Sequence, residues 1–286
     1  MPQPKPTPLT IAVRVYPDWP REDWGFDRPD RKWRLPESGL VFDTETRADH
    51  IQRLTFGSYR FVRNGECLVQ NLFTADDLPA EDRLVLKKFV DGRYQLDTPR
   101  VGLLTQAEFL KRVFDLAYRG RCLLVAFNFP FDISRLAFNS SAARGRFAGG
   151  FSLDLWSYAA GRNRFRPSVG IKHIDSKRAI KGFTRRKDPD KEDLIPEGST
   201  TGKSEEGYVF RGHFLDLRTL AFALTDRGHT LESACEEFDV EHKKQTVERH
   251  GVVTEDYVKY NLRDVLATSE LAIKLPRLKI NWIGRF

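Results

Sequence analysis

The feature that most constrains this chain is a pair of apolar runs that each end in acid. "GLVFDTET" at 39–46 carries Leu40, Val41 and Phe42 straight into Asp43 and Glu45, and "RCLLVAFNFPFD" at 121–132 runs through Leu123, Leu124 and Val125 to Asp132. Continuous apolar runs of this kind suit central strands covered on both faces. Strand side chains alternate, so Asp43 and Glu45 point the same way, about 6–7 Å apart along the chain. Two like charges that close disfavour ionising both, so a positive group is expected between them.

The rest of the pattern frames these runs. Asn64-Gly65 sits between two β-rich stretches and predicts a tight hairpin. In "TQAEFLKRVFDLAYRG", Phe109, Leu110, Val113 and Leu116 recur at helical spacing and Gly120 closes the helix. "FPFDISRLAF" reads as a short helix, and residues 149–183 as strands or a long hairpin. The charged, Pro/Gly/Ser-rich stretch at 184–207 reads as a mobile surface loop. "YVFRGHFLDLRTLAFAL" predicts strand then helix, with Asp216 as the helix cap, and "TLESACEEFDV" predicts an amphipathic helix. "TEDYVKYNLRDVLATSELAIKL" predicts a long helix with Thr254 as N-cap and Glu255 and Asp256 at the positive end of its dipole. This order predicts an α/β domain at 39–286 with a mixed sheet flanked by helices. Before it, residues 1–38 form a Pro/Trp-rich arm holding Trp19, Trp24 and Trp33.

A third acidic motif lies in the long helix, where Tyr260 and Asp264 are one turn apart on one face. If both strands are central and the helix packs at their end, Asp43, Glu45, Asp132 and Asp264 converge. Four clustered carboxylates call for hard divalent cations, Mg²⁺ or Mn²⁺. Two such ions about 3.5–4 Å apart clamp an in-line displacement at phosphorus. Tyr260, with an ordinary pKa of about 10, suits orienting a water better than deprotonating it. D-x-E and Y-x-x-x-D are weak signals alone; their order, their strand and helix contexts and the N-x-x-F-D between them carry the weight. Among the six histidines there is no HExxH spacing, and neither GxGxxG nor a Walker-type loop occurs.

Together, "DTE", "NFPFD" and "YNLRD" resemble the three motifs of the DEDD superfamily of 3′–5′ exonucleases. The tyrosine resembles the DEDDy branch, and "NFPFD" is most similar to the proofreading domains of family B DNA polymerases. The resemblance covers about residues 38–275. It implies a ribonuclease H-like fold with a β-hairpin-like insertion at about 148–183. It also implies two Mg²⁺ or Mn²⁺ held by Asp43, Glu45, Asp132 and Asp264, with Tyr260 positioning the nucleophilic water. Thr44, Asn128 and Phe131 would then lie by the 3′-terminal nucleotide. The implied reaction releases nucleoside monophosphates from single-stranded DNA or a frayed 3′ end, with a polymerase as a partner or parent chain. A ribonuclease D-type enzyme acting on RNA, and a non-catalytic nucleic-acid-binding module, are the alternatives.

Charge distribution points to the same partner. Between residues 162 and 187 ten Lys and Arg face one acid, Asp175, although the whole chain is only +7. Phe165 and Phe183 interleave with them, which suits a nucleic-acid track through Arg162, Arg164 and Arg166. Cys67, Cys122 and Cys235 are sparse and include no CxxC, which argues against a disulfide scaffold and fits a reducing compartment. No apolar run is long enough to span a bilayer, and the Pro-rich N-terminus lacks a signal-peptide core. A cytoplasmic protein with no membrane partner is the expectation.

Overall fold

Alternation along the first apolar run sets the layers of the domain. The computed structural model describes residues 36–92, 99–158, 161–163, 166–175, 178–184, 213–242 and 250–283. Residues 1–35 of the expected N-terminal arm, Arg164, Phe165 and all but the first residue of the expected mobile loop fall outside them. In β1 (Ser38–Thr46), Leu40 and Phe42 enter one core and Val41 the opposite one. β2 (Leu54–Arg63) and β3 (Glu66–Thr74) form the expected hairpin. Asn64 (φ 52°) and Gly65 (φ 89°) supply the two left-handed residues that a two-residue turn of matching twist requires.

After α1 (Ala80–Asp91) comes β4 (Gly102–Thr105), an edge strand beside β3 that the sequence pattern does not announce. α2 (Gln106–Val113) starts at a capping box in which Thr105 and Glu108 exchange hydrogen bonds. It continues as a π-helical turn through Arg119, and the N–H of Gly120 closes it on the Asp115 carbonyl at 2.9 Å. β5 (Leu123–Ala126) is wholly buried and leads into the short α3 (Phe129–Arg135).

β6 (Asn139–Ala142), β7 (Phe151–Asp154), β10 (Val169–His173) and β11 (Ala179–Phe183) form a separate antiparallel sheet in the order β11-β10-β7-β6. Between them β8 (Ser157–Tyr158) pairs with β9 (Gly161–Arg162). The insertion expected at about 148–183, as strands or a long hairpin, is a small sheet of strands that already begins at Asn139. β12 (His213–Asp216), α4 (Leu217–Thr225), α5 (Leu231–Glu237) and the 29-residue α6 (Glu255–Ile283) complete the domain.

The main sheet runs β12-β5-β1-β2-β3-β4. β12, β5 and β1 are parallel, while β1, β2 and β3 are antiparallel. The α/β architecture with a mixed sheet and flanking helices is as expected. One face packs Phe42, Tyr59 and Phe73 against Phe109 of α2, whose ring stacks on Phe73 at 4.0 Å. The other packs Val41 and Val125 against Leu217, Ala234, Val265 and Leu271 of the last three helices. Burying a Phe or Leu stabilises a fold by roughly 1.5–3 kcal/mol, and emptying the Phe109 site would cost about 3–5 kcal/mol. Gly57 must stay a glycine, because a Cβ there would collide with the Asp43 carbonyl and the Phe73 ring. Among the described residues no helix is long and apolar enough to cross a membrane.

Candidate active site

Strand pairing puts Asp43 and Glu45 on the face of β1 that receives α6. Their register partners on β2 are Ser58 and Phe56, which share that face. Ser58 Oγ donates to the Asn261 carbonyl of α6 at 3.5 Å, and the Phe56 ring meets Tyr257 edge-on at 5.5 Å. Thr254 caps α6, its Oγ1 accepting from the Tyr257 N–H at 3.2 Å. From that fixed start, Tyr257, Tyr260, Asn261 and Asp264 follow at steps of three, one and three, a single stripe facing the sheet.

The contacts between α6 and β1 run across more than two hundred residues of sequence. Asn261 Nδ2 donates to Asp43 Oδ2 at 2.8 Å and to Glu45 Oε1 at 3.2 Å. The Tyr257 hydroxyl donates to Glu45 Oε2. Asp132, brought beside β1 by the parallel β1–β5 pairing, accepts from Thr44 twice, from its N–H at 3.2 Å and its Oγ1 at 2.8 Å. Tyr260 hydrogen-bonds Asp264 one turn along α6. Asp264, Glu45 and Asp132 are only 5%, 8% and 3% exposed, while Asp43 is half-buried.

Burial, with neutral partners, sets the protonation. Desolvation raises the Glu45 carboxyl to about 7; Tyr257 and Asn261 oppose the rise, and the nearby Asp264 and Asp132 add to it. Desolvation likewise lifts Asp132 to about 7 against the two Thr44 hydrogen bonds, with Asp216 adding to the rise. Tyr260 is pushed far above the ordinary phenol by burial and then by Asp264 and Glu45. It therefore keeps its proton and can orient a water but not deprotonate one, as its residue type suggested.

The four acids gather at one end of the sheet without closing on one point. Among the described residues, a group with three ligand atoms mutually within 4.8 Å occurs at Glu241, His242 and Glu270 instead. Glu45 is drawn toward Tyr257 and Asn261, and Asp132 toward Thr44, as repelling carboxylates with neutral donors would be. The donor set itself suits a hard divalent cation: four carboxyl groups, three of them buried, which such a cation would hold in their ionised form.

The other singled-out residues fall into two groups. Asn128 precedes α3 and its carbonyl accepts from the Asp132 N–H at 3.2 Å, but its side chain does not cap the helix. Phe131 is half-buried beside Asp132, with the Arg135 guanidinium over its ring at 4.8 Å. Asp216 caps α4, accepting from the Thr219 N–H at 3.0 Å, and also pairs with Lys181 at 3.1 Å. The basic residues have local work. Arg162 Nε pairs with the buried Asp154 at 3.1 Å, and Arg166 lies over the Phe114 ring at 4.3 Å. Both are thereby tied to the small sheet and the core below it, a role that their place in a basic run does not suggest.

Tyr257 and Asn261 are site residues that sequence reasoning missed. Their signal was their spacing from Asp264, seven and three residues, which puts all three on one helix stripe. His250, edge-on to both Tyr257 and Tyr260, had no such signal. A scan against protein-family models and a search of curated proteins match nothing to this chain.

Proposed function

We propose that this chain is a metal-dependent 3′–5′ exonuclease of ribonuclease H-like fold that hydrolyses single-stranded DNA or frayed 3′ ends. One observation carries the reading: Asp43, Glu45, Asp132 and Asp264 gather at one end of β1, and among the described residues Glu45 and Asp132 are buried against neutral donors. The mixed sheet, with β1 parallel to β5 and antiparallel to β2, is compatible with that fold. Bound there, Mg²⁺ or Mn²⁺ would supply an activated water and a Lewis acid for the departing oxygen.

The chain's own residues do the rest. Asp43 and Glu45 from β1, Asp132 from α3 and Asp264 from α6 would hold the cations. Tyr260 keeps its proton, which it gives to Asp264, and its hydroxyl oxygen would accept a hydrogen bond from the attacking water and so orient it. Thr44 steadies Asp132 through both its N–H and its hydroxyl. Phe131, half-buried next to Asp132, offers a ring to the terminal base. Polarity and product follow the resemblance.

The test is Mg²⁺- or Mn²⁺-dependent trimming of matched 3′-labelled DNA and RNA oligonucleotides, read as a ladder of shortened products. Asp43→Ala with Glu45→Ala should remove cleavage, a loss of at least about 10³-fold, while the fold is retained, relieved repulsion offsetting part of the cost of leaving Tyr257 and Asn261 without their acceptors. Undiminished trimming by that double variant sinks the proposal, and trimming of RNA alone would move it to the ribonuclease reading.

A further inference from the structure

Asn261 is a neutral side chain that touches two of the four acids. It is fully buried, seated on α6 between Tyr260 and Asp264, and its backbone carbonyl is backed by Ser58. Its amide has two hydrogens and Nδ2 directs them at two different carboxylates, Asp43 at 2.8 Å and Glu45 at 3.2 Å. The orientation is chemically forced, since the flipped amide would aim its oxygen at both acids. The oxygen, Oδ1, is then buried with no hydrogen-bond partner among the described residues. Buried acceptors are nearly always satisfied, by protein or by ordered water. An acceptor left over on the amide that braces two acids therefore marks where a donor, protein or water, belongs.

We infer that Asn261 is a positioning residue for cation loading. Its amino group fixes the spacing of Asp43 and Glu45 before the cation arrives, and its oxygen accepts a hydrogen bond from water bound in the site. The inference rests on the proposed cation site and adds to it a residue that holds ligands without being one. Partners of this kind typically govern metal affinity by about 10–100-fold. Tyr257, which holds the other Glu45 oxygen, contributes one hydrogen bond to one acid. Asn261 couples the pair.

The experiment is Mn²⁺ titration of the full chain by calorimetry, with the thermal midpoint recorded in the absence and presence of Mn²⁺. Asn261→Leu keeps the volume and removes the polar atoms; it should weaken Mn²⁺ binding by about 10–100-fold and shrink the Mn²⁺-induced rise in midpoint. Asn261→Ser keeps one donor and should fall between Leu and wild type. A purely structural role would lower both midpoints together and leave the rise unchanged. Affinity within about twofold of wild type in either folded variant overturns the inference while leaving the nuclease reading intact. A wild-type chain that binds no Mn²⁺ overturns both. Independently of any variant, the side-chain amide resonance of Asn261 in the wild type should move on Mg²⁺ addition, and an unmoved resonance at saturation overturns the inference.

Discussion

Asp132 and Asp216 follow or end adjacent parallel strands, β5 and β12, and both are buried, at 3% and 7% exposure. They are compensated in opposite ways. Asp216 has a buried cation, Lys181, at 3.1 Å and a backbone N–H at 3.0 Å. Asp132 has neutral donors instead, the N–H and hydroxyl of Thr44. The small sheet repeats the first solution: buried Asp154 accepts from Arg162, from Ser168 at 2.5 Å and from Asn139 at 3.1 Å. This fold can give a buried acid a cation, and does so at Asp154 and Asp216. Among the described residues it does not at Glu45 and Asp132, and burial then pushes their carboxyls up to about 7. Acids that serve the scaffold carry their counter-charge within the chain; on the proposed reading, Glu45 and Asp132 would receive theirs from a bound cation.

The largest expected effect separates these two classes. Lys181→Met should strip Asp216 of its cation and cost about 3–5 kcal/mol, because an uncompensated buried charge remains. Chemical denaturation would measure it, and Mn²⁺ should not repair it. A variant as stable as the parent would break the distinction.

Next comes pH. Glu45 and Asp132 have ordinary values of 4.5 and 3.8 and are raised to about 7 in the fold. Between those limits the folded chain holds protons that the unfolded chain has released. Their contribution to stability is full below about pH 4 and is lost as pH climbs through about 7, on the order of 3 kcal/mol for Glu45. The metal-free midpoint should therefore fall over that window, and Glu45→Gln should flatten the fall. A Glu45→Gln profile that overlays the wild type would contradict the burial argument.

A smaller change is expected at Asp154. Asp154→Ala should cost about 1–3 kcal/mol by leaving Ser168 and Asn139 without their acceptor, while Mn²⁺ affinity holds. Loss of Mn²⁺ binding would mean that the two regions are not separate. The smallest effect concerns Arg162, Arg164 and Arg166. Neutralising all three should lower the slope of log affinity against log salt for a single-stranded oligonucleotide, by about 0.7 for each phosphate that is no longer neutralised. An unchanged slope would leave Arg162 and Arg166 with their structural roles alone.

Much of the architecture was legible because it is written locally. β1 and β5 announce themselves as runs covered on both faces, Asn64-Gly65 names its own turn, and Thr254 marks the start of α6. β4 was missed because four residues at a sheet edge, none fully buried, leave no periodic trace. Asp43, Glu45, Asp132, Tyr260 and Asp264 were legible as candidates through spacing and order. What holds them was not: the Thr44–Asp132 and Asn261–Asp43 hydrogen bonds join residues 88 and 218 positions apart, and only sheet register decides them. Within the basic run, Arg162 also pairs with the buried Asp154 eight positions earlier, a partnership that the composition of the run does not announce.

That 218-residue span between Asp43 and Asn261 has a temporal side. During synthesis the strand bearing Asp43 leaves the ribosome long before the helix bearing Asn261 and Asp264 exists. Until that helix docks, the early acids have neither their amide brace nor their fourth member. On the proposed reading, a growing chain is thus harmless to the nucleic acid around it, and competence arrives in a single late step.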